Sequence, residues 1–501
     1  MKKRLLCICL AAVLAGSSLL TGCADSGKAE ENPAASAQTP AGTADPAAAQ
    51  ETEEPADNRA SVKDNLPDDL DFGGRSILIL ARNKSWFDGE MFTEELNGET
   101  LNDAVFKRDI SVEDRLNVKA DYQLEGDTNG FVNNNVKAGS DEFGFHVGSA
   151  VDTVQYGVKG YYYNLLGDYP EYLNLDQPWW SRYYTQQSSI GGKAFFATGD
   201  LFTSLIKLSF VTYVNLKMIE DYQFENPYDL VRSGGWTFDK EMEMALQVYT
   251  DNNGNGISDE RDTFGMSMAG SIGLDVYWSA FDLTICEKDA EDMPSFSVDE
   301  EKMSAVLAKL YQYYENCDSV FTPPDTSDSE QDVVAQMLAE DRMLFSPLRI
   351  MHTDQIQEME SNYGLIPLPK WDEEQQNYYT FVHDQYSIGG IPVSVQDPSM
   401  VSAVVEAMAA ESYRTVTPAL FEIAMKIKYA RDNITGRMFD IIRSTVTFDF
   451  GRVFNNDIGV TFMFRSYVAD GKNEWASYAK SNVKALDKKF EKLVKGLAGE
   501  N

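Results

Sequence analysis

The stretch Arg75-Ser-Ile-Leu-Ile-Leu-Ala81 decides the fold class, because it is a continuous apolar run between turn-forming residues. Such a run is typical of a strand buried on both faces, as in a parallel sheet. Residues 100–116 place apolar side chains on one face of a predicted helix, and residues 118–122 then alternate as a strand. A strand, a helix and a strand at this spacing form a βαβ unit, which predicts an α/β fold.

The rest of the chain continues the mixed pattern. Further strands are predicted at 145–150, 194–198, 208–215, 363–368 and 386–391, and helices at 239–250, 299–315, 331–340 and through most of the C-terminal part. A folded body of roughly 435 residues exceeds one comfortable hydrophobic core. Two lobes with a cleft between them are therefore expected.

Composition limits the classes of partner. The 501 residues include 43 Lys and Arg against 79 Asp and Glu, a net charge of −36. A chain this acidic does not attract phosphate backbones through its overall field, so nucleic acid is not expected as a partner. Only three histidines occur, which weakens a His-rich metal site or a His-dependent catalytic triad.

The N-terminus has the pattern of an export signal. A positive start at residues 2–4 precedes a short apolar stretch that ends in Leu20-Thr-Gly-Cys23. This ending resembles the bacterial lipobox, which predicts a signal peptide at 1–22 and a lipid on Cys23; the alternative is an ordinary signal peptide with a chance cysteine. No later stretch approaches the ~18 apolar residues of a membrane span, so lipid alone would provide the anchor.

Residues 23–65 read as a disordered tether. Ala, Glu, Asp, Pro, Ser and Thr dominate this stretch, which lacks the apolar surface needed to offset its ordering entropy. A flexible chain of this length reaches roughly 35 Å. Among the later cysteines, Cys286 and Cys317 form either a disulfide, as exported chains allow, or two buried free thiols.

Three motifs carry a resemblance to a known family. They are Thr212-Tyr-Val-Asn215-Leu-Lys-Met-Ile, Gly235-Trp-Thr-Phe-Asp239 and Tyr363-Gly-Leu-Ile-Pro-Leu-Pro-Lys370. In this order, behind a lipobox and a tether, they resemble the extracellular solute-binding proteins of bacterial ABC importers, within the maltose-binding-like, sugar-binding group called family 1. The resemblance spans about residues 70–460.

The resemblance implies a two-lobe, type II periplasmic-binding-protein-like fold, with lobes built from discontinuous chain and joined by a hinge. Lobe 1 is expected at 66–208 plus 362–425, and lobe 2 at 209–361 plus 426–501. It further implies a monomer on the outer face of the bacterial cytoplasmic membrane. There it would capture a carbohydrate, expected to be an oligosaccharide, by closing around it, and deliver the ligand unchanged to the permease subunits.

Candidate ligand residues follow from strand ends and from the resemblance. Trp86 and Asp152 come directly after predicted strands, where ligands bind in open α/β folds; the resemblance adds Asp152, Tyr277, Trp278 and Arg349. Trp180 is a candidate for a wall of the cleft. Aromatic faces stack on sugars, and charged groups bond their hydroxyls. Each has a plainer alternative: a core tryptophan or tyrosine, a helix cap for Asp152, and a surface ion pair for Arg349.

The sharpest local motif is Asp251-Asn-Asn-Gly-Asn-Gly-Ile-Ser-Asp-Glu-Arg-Asp262. It has the ligand spacing of a calcium loop, which predicts a structural Ca²⁺. The ligands would be Asp251, Asn253, Asn255, the Ile257 carbonyl, Asp259 and Asp262. The alternative is an Asn- and Gly-rich turn after a helix.

Two other functions stay open at this stage. The chain could be a lipoprotein that feeds a sensor, or a secreted carbohydrate-active hydrolase, which needs two positioned carboxylates. No G-x-S-x-G, H-E-x-x-H or P-loop pattern occurs in the sequence. A binding protein without enzymatic activity and without an organic cofactor is therefore expected.

Overall fold

The computed structural model describes residues 58–499, apart from 271, 324–328, 426–432 and 473–474. The predicted signal peptide, Cys23 and most of the predicted tether lie outside the described residues. Strands and helices alternate along the described chain. The strands are β1 (Arg75–Arg82), β2 (Val118–Glu125), β3 (Phe145–Ser149), β4 (Phe210–Asn215), β5 (Tyr249–Thr250), β6 (Thr263–Ser267), β7 (Cys286–Lys288), β8 (Pro294–Phe296), β9 (Val320–Phe321), β10 (Met343–Arg349), β11 (Tyr363–Ile366) and β12 (Ser387–Gly390).

Helices cover most of the remaining chain and dominate its C-terminal part. They are α1 (Thr100–Leu116), α2 (Thr128–Ala138), α3 (Ala150–Val158), α4 (Arg182–Ser188), α5 (Ser204–Lys207), α6 (Leu216–Asp221), α7 (Pro227–Ser233), α8 (Phe238–Ala245), α9 (Ile272–Ala280), α10 (Glu300–Asn316), α11 (Ser329–Ala339), α12 (Thr353–Ile356), α13 (Pro398–Glu411), α14 (Thr417–Met425), α15 (Asn433–Ser444), α16 (Phe450–Val453), α17 (Asn455–Ile458), α18 (Val460–Ala469) and α19 (Trp475–Ala498). None of these helices is both long and apolar enough to cross a membrane.

The first sheet has the strand order β12-β3-β1-β2. β1 pairs with β2 in parallel, from Arg75 opposite Val118 to Arg82 opposite Glu125, with α1 as the connection. The predicted βαβ unit is confirmed. β12 joins this sheet antiparallel to β3, although more than 200 residues of chain separate the two strands.

The second sheet has the order β11-β4-β10-β6-β5, with β9 beside β6. Its strands all lie between β3 and β12 in the sequence, so the chain leaves the first sheet and returns to it, as the resemblance implied. β11 pairs antiparallel with β4, with Tyr363 opposite Asn215. The change of lobe predicted at residue 362 therefore comes too early, because β11 belongs to the second sheet.

Two local predictions are wrong. The strand expected at 194–198 is not formed: Ala197 makes a single bridge to Gly389, and neighbouring residues bridge to other parts of the chain, so no ladder extends. The helix expected at 239–250 ends at Ala245, and Tyr249–Thr250 pairs with β6 instead. In both places tertiary partners override the local pattern.

The ordered body begins earlier than the predicted tether allows. Residues 58–61 form a short 3₁₀ turn, and Leu66 is buried. Asp64 accepts a hydrogen bond of 2.7 Å from Arg115 and lies 3.8 Å from Arg414. Burial opposes ionisation of Asp64, but the contact with Arg115 outweighs it and lowers the pKa of the carboxyl group. Through Arg115 and Arg414, the end of the predicted tether thus contacts α1 and the segment before α14.

Candidate functional site

Three side chains from separate parts of the fold meet where the two sheets adjoin. Trp86 lies in a 3₁₀ turn directly after β1, Arg349 ends β10, and His383 lies in the segment that returns the chain to the first sheet. The Arg349 guanidinium carbon lies 4.7 Å from the centre of the Trp86 ring. The His383 ring meets the Trp86 ring edge-on, with 5.9 Å between centres. We call these residues the junction cluster.

Burial makes the contact between Arg349 and Trp86 stronger than a surface contact. Arg349 is 2% exposed, and its Nε donates a 3.0 Å hydrogen bond to Gln331. Trp86 is half-buried. Cation–π contacts reach about 2 kcal/mol when desolvated. Two residues predicted separately as ligand contacts therefore touch each other, one from each sheet.

His383 is held as a neutral imidazole. Burial, followed by the positive charges of Arg349, Arg452, Arg465 and Lys84, lowers its pKa well below the ordinary value. His383 lies in the segment that follows the Tyr363 motif.

Asp152 lies in the first turn of α3 and is exposed. Its carboxylate accepts a 3.2 Å hydrogen bond from the Ser149 hydroxyl and lies 3.5 Å from the Asn456 amide nitrogen. A carboxylate here also stabilises the helix N-terminus. Within the described residues, no hydrogen bond or ion pair joins Asp152 to the junction cluster, so its role as a ligand contact stays a prediction.

Trp180, predicted as a wall of the cleft, is an interior residue in this structure. It is 4% exposed and belongs to the core of the first sheet. Its indole N–H donates to one Glu406 oxygen at 2.8 Å, and that of Trp179 donates to the other at 3.2 Å. Burial raises the pKa of Glu406 to about 7, although these hydrogen bonds oppose the shift. The structure therefore has Trp180 as a core tryptophan, and its role as a wall of the cleft stays a prediction.

Tyr277 and Trp278 are also interior residues. They lie on α9 with 1% and 0% exposure. Tyr277 packs against Phe281, and Trp278 meets Phe464 edge-on at 5.5 Å. The position in the sequence was typical of ligand-binding aromatics, but α9 is buried on all sides. In this structure both are core residues, and their roles as ligand contacts stay predictions.

A buried ionic network lies next to the junction cluster. Arg452 on α16 donates to Asp275 at 3.1 Å and to Asp384 at 3.0 Å, and Arg465 donates to the other Asp275 oxygen at 3.0 Å. We call these four residues the junction network. Burial raises the pKa of Asp384, although Arg452 opposes this. Sequence reasoning missed the network because Asp275 and Arg452 lie 177 positions apart.

A small pocket of about 20 Å³ adjoins this network. Its wall includes the start of α3, the segment before β12 and the chain around α16, with Val151, Phe381, Asp384, Tyr386, Asp449 and Arg452. Burial raises the pKa of Asp449 to about 6, although the Arg452 amide N–H opposes this. Polar groups face aromatic walls here, but the volume suits about one water molecule rather than an organic ligand.

The calcium-like loop is closed on itself. Asp251 accepts hydrogen bonds from the Gly254 and Gly256 amides at 2.7 and 2.8 Å. Asp262 accepts from the Asn252 amide at 3.1 Å and Asp259 from the Asn255 side chain at 3.1 Å. In the described part of the chain, no group of three or more His, Cys, Asp or Glu side chains is placed to hold a metal ion. Calcium binding stays a prediction.

Cys286 and Cys317 are not joined by a disulfide. Cys286 begins β7, whereas Cys317 follows the end of α10. Burial raises the pKa of the Cys286 thiol to about 12, which suppresses its thiolate and its reactivity. Of the two alternatives, the structure has the unlinked thiols.

Comparison with solved structures establishes the fold. The GacH receptor of Streptomyces glaucescens GLA.O superposes with a TM-score of 0.55 at 12% identity, covering 83% of this chain and 99% of that chain. An ABC substrate-binding protein from Listeria monocytogenes in complex with cycloalternan gives 0.51 at 14% identity, with 85% and 99% covered. A cyclo/maltodextrin-binding protein with maltotetraose gives 0.50 at 10%, with 85% and 97% covered. All three are binding proteins.

No protein-family model matches the sequence, and no curated protein matches it. At identities this low, the structural similarity establishes architecture. The chain has the two-lobe, type II periplasmic-binding-protein-like fold that the resemblance implied.

Proposed function

We propose that this protein is the extracellular solute-binding component of an ABC importer and that it captures a carbohydrate between its lobes. The observation that carries the proposal is the junction cluster, in which Trp86 from one sheet meets Arg349 from the other beside His383. An aromatic face, a cation and an imidazole together match the apolar faces and hydroxyl rims of sugars.

Closure is the work of such a protein. A ligand that contacts Trp86 and Arg349 together touches both lobes, so it binds the closed form more tightly than the open form. Only this difference in affinity shifts the population toward closure. The ligand leaves the site chemically unchanged.

We extend the proposal to an oligosaccharide as ligand. The similar structures include one solved with acarbose, one with cycloalternan and one with maltotetraose.

The test is a melting-temperature screen of the purified body against a library of neutral and acidic glycans. At least one oligosaccharide should raise the Tm, and small-angle scattering should show a smaller radius of gyration with that glycan. The labelled glycan should be recovered intact. Hydrolysis of the glycan would replace the proposal with the hydrolase alternative, and the absence of any shift across the library would remove carbohydrate as the ligand class.

Anchoring and delivery complete the proposal. The lipobox ending at Cys23 supports a diacylglycerol anchor, and the tether supports a body held off the membrane. In the producing cell, Cys23→Ser should release the protein from the membrane fraction, whereas Cys286→Ser should not. Retention of the Cys23→Ser protein in membranes would contradict the lipid anchor. Co-purification of the glycan-loaded protein with permease subunits tests delivery.

A further inference from the structure

The three histidines of the chain differ in what their ring nitrogens do. His146 bonds the Tyr162 hydroxyl through Nδ1 at 2.7 Å, and its Nε2 is buried without a hydrogen-bond partner in the described chain. His352 pairs through Nδ1 with the Arg349 carbonyl at 3.1 Å. His383 accepts the Gln385 backbone N–H at Nδ1, at 3.1 Å. Because Nδ1 accepts, the proton of the neutral His383 ring resides on Nε2.

The Nε2–H group of His383 is available to a ligand. Among the described residues it has no hydrogen-bond partner, and unlike His146 Nε2 it is not among the fully enclosed polar atoms that lack one. The residue as a whole is 9% exposed, so this access is confined to a small opening. The neighbouring Trp86 indole N–H likewise has no partner in that part of the chain and is not fully enclosed. Two adjacent rings at the lobe junction thus each carry a donor without a partner among the described residues.

We infer that His383 is a ligand-contacting residue, which donates its Nε2–H to an oxygen of the carbohydrate bound against Trp86. The inference rests on the proposed function and adds to it the identity of one polar contact. It also restricts the ligand, because the sugar must present an acceptor oxygen near the edge of the unit that lies on the Trp86 ring.

The surroundings keep this donor in one state. The Gln385 amide fixes the tautomer, and the edge-on Trp86 ring fixes the ring plane. A neutral donor that is already oriented loses little entropy when it bonds the ligand. A single hydrogen bond of this kind contributes about tenfold to affinity.

The donor state is measurable without a ligand. With only three histidines, nitrogen-15 NMR of the whole body resolves each ring, and the spectrum of His383→Gln identifies the signals of His383. At pH 7 the signals of His383 should be those of a neutral ring with hydrogen on Nε2. A ring protonated on Nδ1 instead, or a charged ring, would overturn the inference.

The contact is tested by calorimetry with maltotetraose, cellotetraose and xylotetraose. His383→Phe keeps the ring and removes the donor, whereas His383→Gln restores an N–H; both lose the acceptor for Gln385. For each glycan that binds the wild type, the Kd should rise about tenfold in His383→Phe. In His383→Gln it should stay within about threefold of the wild-type value. Equal Kd values in the wild type and His383→Phe would overturn the inference and leave the proposed function standing. Binding of none of the three glycans to the wild type would count against both.

Discussion

The junction cluster and the core of the first sheet use tryptophan next to an ionisable group in opposite ways. In the core, both Glu406 oxygens accept an indole N–H, from Trp179 and Trp180, so neither indole N–H remains unpaired. At the junction, Arg349 covers a face of Trp86, and the indole N–H has no partner in the described chain. A tryptophan whose indole N–H is paired inside the protein is structural. One whose indole N–H is unpaired at a domain junction can bind a ligand.

The same contrast applies to charge. Arg452 at the junction keeps its Nε and Nη1 groups buried without hydrogen-bond partners in the described residues, while Nη2 bonds two aspartates. Buried donors without hydrogen-bond partners cost stability. At this arginine, charge is only partly compensated by hydrogen bonds, unlike the carboxylate of Glu406 in the core.

The largest expected effect comes from breaking the junction network. Arg452→Met leaves Asp384 buried without its partner, and the cost should be about 3–5 kcal/mol in the free energy of unfolding. Denaturant unfolding measures it. The matched control is Arg75→Met, which breaks the 2.7 Å ion pair with Asp397 on the surface and should cost under about 1 kcal/mol. Equal losses would mean that the junction is as solvated as the surface.

The next largest effect is expected from substitutions of Trp86 and Trp180, which separate ligand binding from stability. Trp86→Ala should weaken glycan binding by about 30-fold, because aromatic anchors dominate binding energy. Trp180→Phe should leave the Kd within about twofold and lower the Tm, because Glu406 loses a donor. Calorimetry measures the Kd, and thermal melting measures the Tm. A loss of affinity in Trp180→Phe at unchanged Tm would return that residue to the cleft.

A buried acid inside the second lobe offers a smaller, pH-dependent effect. Glu241 on α8 is fully buried, neither oxygen has a hydrogen-bond partner among the described residues, and burial raises its pKa to about 8. The folded state therefore holds this proton more tightly than the unfolded state, so its contribution to stability is full below about pH 4.5 and is lost as pH rises toward 8.

Glu241→Gln removes this titration. The Tm of the variant relative to the wild type should rise steadily between pH 5 and pH 8 and level off above that. The surface change Glu243→Gln on the same helix is the control and should show no such trend. A constant difference in Tm across this range would mean that Glu241 ionises normally in the folded protein.

The structural features that sequence reasoning recovered were local in the chain or followed a general rule. The apolar run at 75–81 and the helix at 100–116 predicted the βαβ unit, because the spacing of apolar residues in strands and helices can be recognised over a few residues. Trp86 was singled out because ligands collect beyond strand ends, and its contact with a ligand stays a prediction. Trp180 and Trp278 satisfied similar patterns, but their burial depends on helices α13 and α18, which no spacing rule connects to them.

The smallest expected effect concerns calcium, in a loop that belongs to neither region. Asp251 already accepts two loop amides, and the Asn253 and Asn255 side chains lie within 3.4 Å of Asp259. The loop is therefore folded without an ion, through its own hydrogen bonds.

Titration of Ca²⁺ into chelator-treated protein should release heat and raise the Tm by a few degrees, because an ion that binds the native state alone stabilises it. Asp251→Asn should abolish both responses. Asp289→Asn is the matched control, since Asp289 caps an exposed turn in the same way, through the Glu291 and Met293 amides, and lies outside the motif. If Asp251→Asn lowers the Tm equally with and without Ca²⁺, and the wild type gives no heat, the loop is a hydrogen-bonded turn. In that case its ligand spacing reflects the needs of the turn, since the same Asx contacts recur at Asp289.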